Sequence, residues 1–196
     1  VNRLVLASGS SARAALLKGA GLDFDIQPAA VDEAAIKAGV ADLPTEDLAL
    51  CLAEAKAITV SLARPGDRVI GADQILDQAG RRYDKPRDAA EAKAHLKILR
   101  GREHRLVNGL CVARNGEIVW RHVAVARLTM RAFSDDFLDT YISGSGPEIL
   151  ESVGAYRLEG PGVQLFSRID GDYFTVLGLP LPPLLDFLRA EGVLSS

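Results

Sequence analysis

At 196 residues the chain can bury a sizeable core within one domain, and its 48% hydrophobic and 25% charged residues are those of a globular protein. A formal net charge of −3 lacks the basic excess that nucleic-acid binding uses, and no apolar run reaches the roughly 18 residues of a membrane span, so neither partner is expected. Cys51 and Cys111 stand far apart in apolar surroundings and nothing reads as a signal peptide, which together predict free thiols and a cytoplasmic protein.

Leu4–Ala7 reads as a short buried strand, followed by the turn Ser8-Gly9-Ser10 and a helix over Ser10–Ala20 with Ala14, Leu16, Leu17 and Ala20 inward. Phe24–Ile26 is a second short strand, and Val31-Asp32-Glu33 is a loop or first helical turn. Thr45 is predicted as the N-cap of a helix over Glu46–Ala63, with Leu48, Leu52, Ala55 and Ile58 or Thr59 inward and Lys56 at the edge of that face. Arg68–Leu76 is a strong central strand, and Gln78-Ala79-Gly80 turns into a return strand at Arg82-Tyr83. Asp88 caps a helix over Ala89–Leu99. Glu103–Arg114 and Glu117–Arg131 form a hairpin about Asn115-Gly116. Ser134 caps a helix to Tyr141, Ser143–Pro147 is a flexible loop, Val163–Ile169 and Tyr173–Val176 are strands, and Leu181–Glu191 is the closing helix. Alternating strands and helices with a long central hairpin predict an α/β fold with a mixed sheet, and no composition shift marks a boundary within 1–196.

The strand–turn–helix at Leu4–Arg13 admits two readings. One is an ordinary βα turn with Ser caps; the other is an anion site, built from unpaired N–H groups at the helix end, the hydroxyls of Ser8, Ser10 and Ser11, and the planar fork of Arg13. Asp73 stands inside an apolar strand, where an unpaired carboxylate is costly, and Gly71 and Ala72 leave room beside it. The plain alternative is a strand-end Asp bonded to a neighbouring loop. Asp32-Glu33, Lys56 and Lys85 are individually ordinary surface residues. Together with the Ser-rich turn they make an inventory for polyphosphate chemistry, with cations for phosphate oxygens and carboxylates for a metal or a water. No Walker-type loop, Gly-x-Gly-x-x-Gly or Gly-x-Ser-x-Gly is present, and His95, His104 and His122 have no ligand spacing.

In order and spacing these motifs resemble the Maf family of nucleoside triphosphate pyrophosphatases, nearly end to end. The carriers are Leu6-Ala7-Ser8-Gly9-Ser10-Ser11-Ala12-Arg13, Val31-Asp32-Glu33, the Lys56 helix, Gly71-Ala72-Asp73-Gln74, Lys85-Pro86 and the His104 segment Gly101–Gly109. The late segments Gly154–Gly160 and Gly171–Pro180 complete the set. The resemblance implies an elongated twisted sheet flanked by helices, in two lobes with an active-site cleft, as in inosine triphosphate pyrophosphatases. It implies hydrolysis of nucleoside triphosphates between the α and β phosphates with Mg²⁺ or Mn²⁺, and a homodimer. By position, Asp73 would be the proton acceptor; Glu33 would be catalytic, holding metal or water, with Asp73 as the second metal ligand. Ser8, Arg13, Lys56 and Lys85 would bind the triphosphate. Ala12, Gln74 and Glu159 fall at the substrate-selecting positions. Gln74 and Glu159 lean towards the members that prefer 7-methyl-GTP, while Gly154-Ala155-Tyr156 and Gly171-Asp172-Tyr173 look more like those that prefer dTTP and UTP. A nucleotide-binding regulator of septum formation with feeble turnover is the competing reading, and a phosphosugar-binding α/β domain a more distant one.

Overall fold

The computed structural model describes residues 3–195. Seven strands, β1 (Leu4–Leu6), β2 (Asp25–Ile26), β3 (Arg68–Gln78), β4 (Arg81–Tyr83), β5 (Glu103–Arg114), β6 (Glu117–Met130) and β7 (Phe166–Asp170), make one sheet. Its order is β2-β1-β3-β5-β6-β7, with β4 paired to β3. β1 runs parallel to β2 and β3, whereas β3 with β4 and β6 with β7 are antiparallel, so the sheet is mixed, as expected. The helices are α1 (Ser11–Gly19), α2 (Glu33–Gly39), α3 (Thr45–Ala63), α4 (Ala89–Leu99), α5 (Asp135–Gly144), α6 (Tyr173–Val176) and α7 (Leu181–Ala190). The chain divides into two compact units: 1–74, 108–124 and 173–196 in the first, 75–107 and 125–172 in the second.

In the first unit the two faces of the sheet separate by residue parity, because strand side chains alternate. Even-numbered Leu4, Leu6, Ile70, Ala72, Leu110 and Val112 pack with Leu17 of α1 and Leu181, Leu184 and Leu188 of α7. Odd-numbered Val5, Ala7, Val69, Cys111 and Ala113 pack with Ala53, Ala57 and Val60 of α3. Both faces are covered, so β3 reads as a continuous apolar run rather than an alternating one.

The fit of α3 rests on two glycines. A Cβ at Gly71 would overlap the Ala53 carbonyl oxygen and lie 2.7 Å from Ala57 Cβ, and one at Gly109 would overlap the Ala49 carbonyl. This contact corrects the expected inward face. Ala49, Ala53, Ala57 and Val60 are buried with Leu48 and Leu52, while Ala55 is half-buried and Thr59 exposed. Thr45 is also not the N-cap: the first intrahelical bond runs from Leu48 N to Pro44 O (3.0 Å), so Pro44 occupies the cap and Thr45 is the first helical residue, buried.

The second unit pairs α4 with α5 over buried Leu96, Leu99 and Leu138. Asp135 of α5 accepts from Lys97 (3.3 Å) and Arg100 (2.6 Å), and Lys93 pairs with Asp139. Asp88 and Ser134 cap these helices as predicted, each accepting from a backbone N–H three residues on. The Ala79-Gly80 and Asn115-Gly116 turns both take positive φ at their two central residues, the geometry that matches strand twist.

Three expectations fail towards the C-terminus. Ser143 and Gly144 belong to α5 and Pro147 opens a 3₁₀ turn over Pro147–Glu151, so the expected loop shrinks to Ser145-Gly146. Residues Pro161–Leu165 form a 3₁₀ turn and only Phe166–Asp170 is strand. Tyr173–Val176 is a helical turn, not a strand, despite its aromatic and β-branched residues. Its last carbonyls are held by side chains from β3 and β5, a tertiary contact that overrides local β preference.

Gly71→Ala is expected to cost about 1–3 kcal/mol of stability or more through overpacking against α3. Gly19→Ala, where an added Cβ meets nothing within 4 Å, should be neutral or slightly stabilising. Urea unfolding midpoints of the two variants distinguish these outcomes.

Candidate active site

Asp73 follows Gly71 by two residues and so projects from β3 on the face that α3 covers. On α3, Lys56 lies between Ala53 and Ala57, the two residues that touch Gly71, and its ammonium is thereby delivered to Asp73. Lys56 Nζ lies 2.7 Å from Asp73 Oδ1 and 2.8 Å from Glu33 Oε1. Glu33 arrives as the first residue of α2, whose N-cap is Asp32, with its carboxylate accepting from Ala35 N (2.9 Å). The adjacent acidic pair therefore divides its roles: Asp32 holds the helix end, and Glu33 turns to the lysine. Lys56 and Asp73 side chains are each 12% exposed and Glu33 is 43% exposed, so the triad is sheltered at the strand and open at the Glu33 side. Asp73 is thus paired with a cation on a helix rather than with a loop.

The Ser-rich turn proves to be a capped turn with polar atoms left over. Ser10 Oγ caps α1 by accepting from Arg13 N (3.4 Å). Ser8 Oγ accepts from Ser10 N (3.2 Å) and from Arg13 Nη1 (3.1 Å). A hydroxyl has two acceptor lone pairs and one proton, so the Ser8 O–H proton is left to point elsewhere. Arg13 also donates through Nη1 to Ala72 O (3.0 Å) and through Nε to Gly178 O (2.8 Å), while Nη2 makes no hydrogen bond among the described residues. The guanidinium therefore ties the turn, β3 and the Gly178 bend together. Burial lowers its pKa, opposed by the Asp73 and Glu33 charges, and an arginine so placed stays protonated. At Gly9 an added Cβ would meet only Pro28, at 3.7 Å, so no protein packing demands glycine there.

Gln74 faces the opposite side of the sheet from Asp73. Its Nε2 donates to Asn108 Oδ1 (3.2 Å), Thr175 O (3.2 Å) and Val176 O (3.1 Å), and Asn108 Nδ2 donates to Thr175 O (2.9 Å). The amide nitrogen is fixed by three carbonyl acceptors, which leaves Oε1 as the acceptor Gln74 can offer a ligand. Asn108 lies within the His104 segment and is not singled out by the sequence, yet a fully buried amide within Leu106–Val112 is the same kind of signal as the carboxylate of Asp73. Thr175 contributes a main-chain carbonyl and carries no sequence signal. Ala12 is half-buried on α1.

In the second unit, Lys85 is exposed beyond β4, and Glu159 is exposed and pairs with Arg157 (3.0 Å). His104 is buried, its Nε2 2.8 Å from the Tyr156 hydroxyl, while Nδ1 has no hydrogen-bond partner among the described residues. Asp77, one residue beyond the expected end of the strand at Leu76, lies buried in β3 and accepts from Arg105 Nη2 (2.9 Å).

Chemically, two carboxylates from different elements meet at one point with a cation between them, beside a hydroxyl and a guanidinium nitrogen with donors to spare. Among the described residues no group of three or more His, Cys, Asp or Glu side chains is arranged to hold a metal. Glu33 and Asp73 are the two carboxylates that converge here, both on Lys56.

Residues 3–191 match the family model described as Maf-like protein, and the chain belongs to that family. A nucleoside triphosphate pyrophosphatase of Caulobacter vibrioides is 53% identical over 194 residues, covering 98% of this chain and 97% of the relative. A 7-methyl-GTP pyrophosphatase of Rhizobium meliloti is 48% identical over 195 residues, covering 98% of each. A solved HAM1 protein structure from Coxiella burnetii aligns at 15% identity with a TM-score of 0.44, over 79% of this chain and 92% of that one, too remote to bear on activity.

Burial pushes the His104 pKa from the ordinary 6.5 down to about 4. The unfolded chain therefore takes up this proton first, and the native state loses stability as pH falls from 6.5 towards 4. The loss from this one group reaches about 3 kcal/mol at roughly 1.4 kcal/mol per pH unit. Urea midpoints across that range should fall more steeply for the native protein than for His104→Gln.

Proposed function

We propose that the chain is a nucleoside triphosphate pyrophosphatase that releases a nucleoside monophosphate and pyrophosphate. The observation that carries this reading is the convergence of Glu33, Lys56 and Asp73 at 2.7–2.8 Å, on a strand to which Arg13 of the Ser8–Arg13 turn is bonded through Ala72 O (3.0 Å). Asp73 acts as the base: it accepts a proton from the water whose oxygen bonds to the α-phosphorus as the bond from that phosphorus to the bridging oxygen breaks. The electron pair leaves with pyrophosphate, whose growing charge is met by Lys56, Arg13 Nη2 and the Ser8 hydroxyl. The spare space at Gly9 suits a backbone that a phosphate must approach closely.

Glu33 and Asp73 also fit a hard divalent cation such as Mg²⁺ or Mn²⁺. Oxygen donors from one or two carboxylates, completed by phosphate oxygens, are the usual holders of Mg²⁺ at nucleotide sites. Bound there, the ion would neutralise phosphate charge and polarise the α-phosphoryl group.

Direct product analysis tests the reaction. With Mg²⁺ and a nucleoside triphosphate, pyrophosphate and monophosphate are the expected products in equal amounts, and orthophosphate as the first product refutes α–β cleavage. Asp73→Asn should lower kcat at least about a hundredfold, the lower end of what a positioned general base contributes. A protein that binds nucleotide tightly yet releases no pyrophosphate would be the septum-linked regulator instead.

For the base, the residue types at Gln74 and Glu159 favour 7-methyl-GTP. The residue type at 159 carries the physical reason: a carboxylate accepts from the N1–H and 2-amino edge of guanine. Across 7-methyl-GTP, GTP, dTTP and UTP, Glu159→Gln is expected to lower kcat/KM for the guanine nucleotides by about tenfold, the scale of one lost charged hydrogen bond, and to leave dTTP and UTP little changed.

A further inference from the structure

We propose that Lys56 is a placeholder cation: it occupies the position between Glu33 and Asp73 that a divalent ion would take, and so keeps free metal off the site until a triphosphate arrives. This rests on the metal-assisted reading of the site.

Lys56 Nζ is 2.8 Å from Glu33 Oε1 and 2.7 Å from Asp73 Oδ1, so one ammonium bridges both carboxylates available to a metal. A divalent ion held by these two carboxylates would compete with the ammonium for the same oxygens. The two cannot be there together, because cations a few ångströms apart repel strongly in a sheltered site. Arg13 adds a second positive charge that both carboxylates feel. The two carboxylates and these two cations sum to no net charge, which weakens the pull on a free ion.

The lysine can leave only if another acceptor replaces the carboxylates, since its side chain is 12% exposed and an unpaired ammonium there is costly. A triphosphate supplies that acceptor. The four-carbon stem of lysine lets the ammonium swing, which the planar, multiply bonded fork of Arg13 cannot do. Metal and nucleotide therefore bind with positive coupling: each is held weakly alone and the pair tightly. Without metal, the same ammonium keeps the two carboxylates convergent.

Mn²⁺ binding followed by the electron paramagnetic resonance of the free ion tests this without turnover. Nucleotide-free native protein should bind Mn²⁺ weakly. Lys56→Met should bind it at least about tenfold more tightly, within the ordinary range of coupling between sites, and Lys56→Arg should show no such gain. Adding Asp73→Asn to Lys56→Met should abolish the gain. In native protein, a triphosphate with a methylene bridge between the α and β phosphorus atoms should raise Mn²⁺ affinity beyond that of the nucleotide alone. Equal or weaker Mn²⁺ binding by a folded Lys56→Met protein overturns the proposal. So does native protein that binds Mn²⁺ equally well with and without the analogue, a result that stands even if Lys56→Met fails to fold. Pyrophosphate release is a separate readout: its absence alongside the Lys56→Met gain removes the hydrolytic reading and leaves the placeholder intact, and the converse result does the reverse.

Discussion

The close seating of α3 on Gly71 is the constraint from which the site follows. The Ala53 carbonyl sits where a β-carbon at position 71 would be, so helix and strand approach nearer than ordinary side chains permit. Lys56 lies within the same helical turn as that contact, and Asp73 lies one side-chain repeat beyond it on the strand. A stem of fixed length then brings the ammonium to the carboxylate at 2.7 Å. Gly109 repeats the arrangement on β5 against Ala49, which holds α3 along its length rather than at one point. The small residues of α3 are there for proximity, and proximity places the charge.

Strand alternation divides the labour of β3. Asp73 faces α3 and the charged cluster, while Gln74, the next residue, faces the layer that carries Asn108 and α6. The residue proposed to do chemistry and one proposed to select the base are thus neighbours in sequence and on opposite faces of one strand. Arg13 joins the first turn to this frame, through Ala72 O of β3 and Gly178 O beyond α6. Any shift of the Ser8 turn is then felt by the strand that bears Asp73.

Much of this was legible beforehand, and the particular residues show why. Asp73 stood out because a carboxylate in an apolar strand needs a reason. Asn115-Gly116, Asp88 and Ser134 were legible because turn and cap chemistry acts over two to four residues. Thr45 was misplaced by one position because Pro44 also suits a helix start. Tyr173–Val176 was misread as strand because its residue types favour β structure locally, and the amides of Gln74 and Asn108 that close its helical turn come from distant segments. Asp77 escaped notice because a turn was expected to begin where the strand in fact continues to Gln78.

The sequence alone determined the order of elements, the mixed α/β class, the family, and the inventory of carboxylates, cations and hydroxyls, since each depends on residue type and short-range spacing. It could not determine that Glu33 and Asp73 share one ammonium while Asp32 turns away to cap a helix. Nor could it show that Arg13 spends most of its donors on main-chain carbonyls and Ser8, or that Gln74 turns its amide nitrogen to the protein. Those facts depend on which groups are within three ångströms after helices dock on the sheet. Only the tertiary structure decides that, because hydrogen bonds and ion pairs are set by distance in space, and residues 33, 56 and 73 are neighbours only once α3 has closed on Gly71.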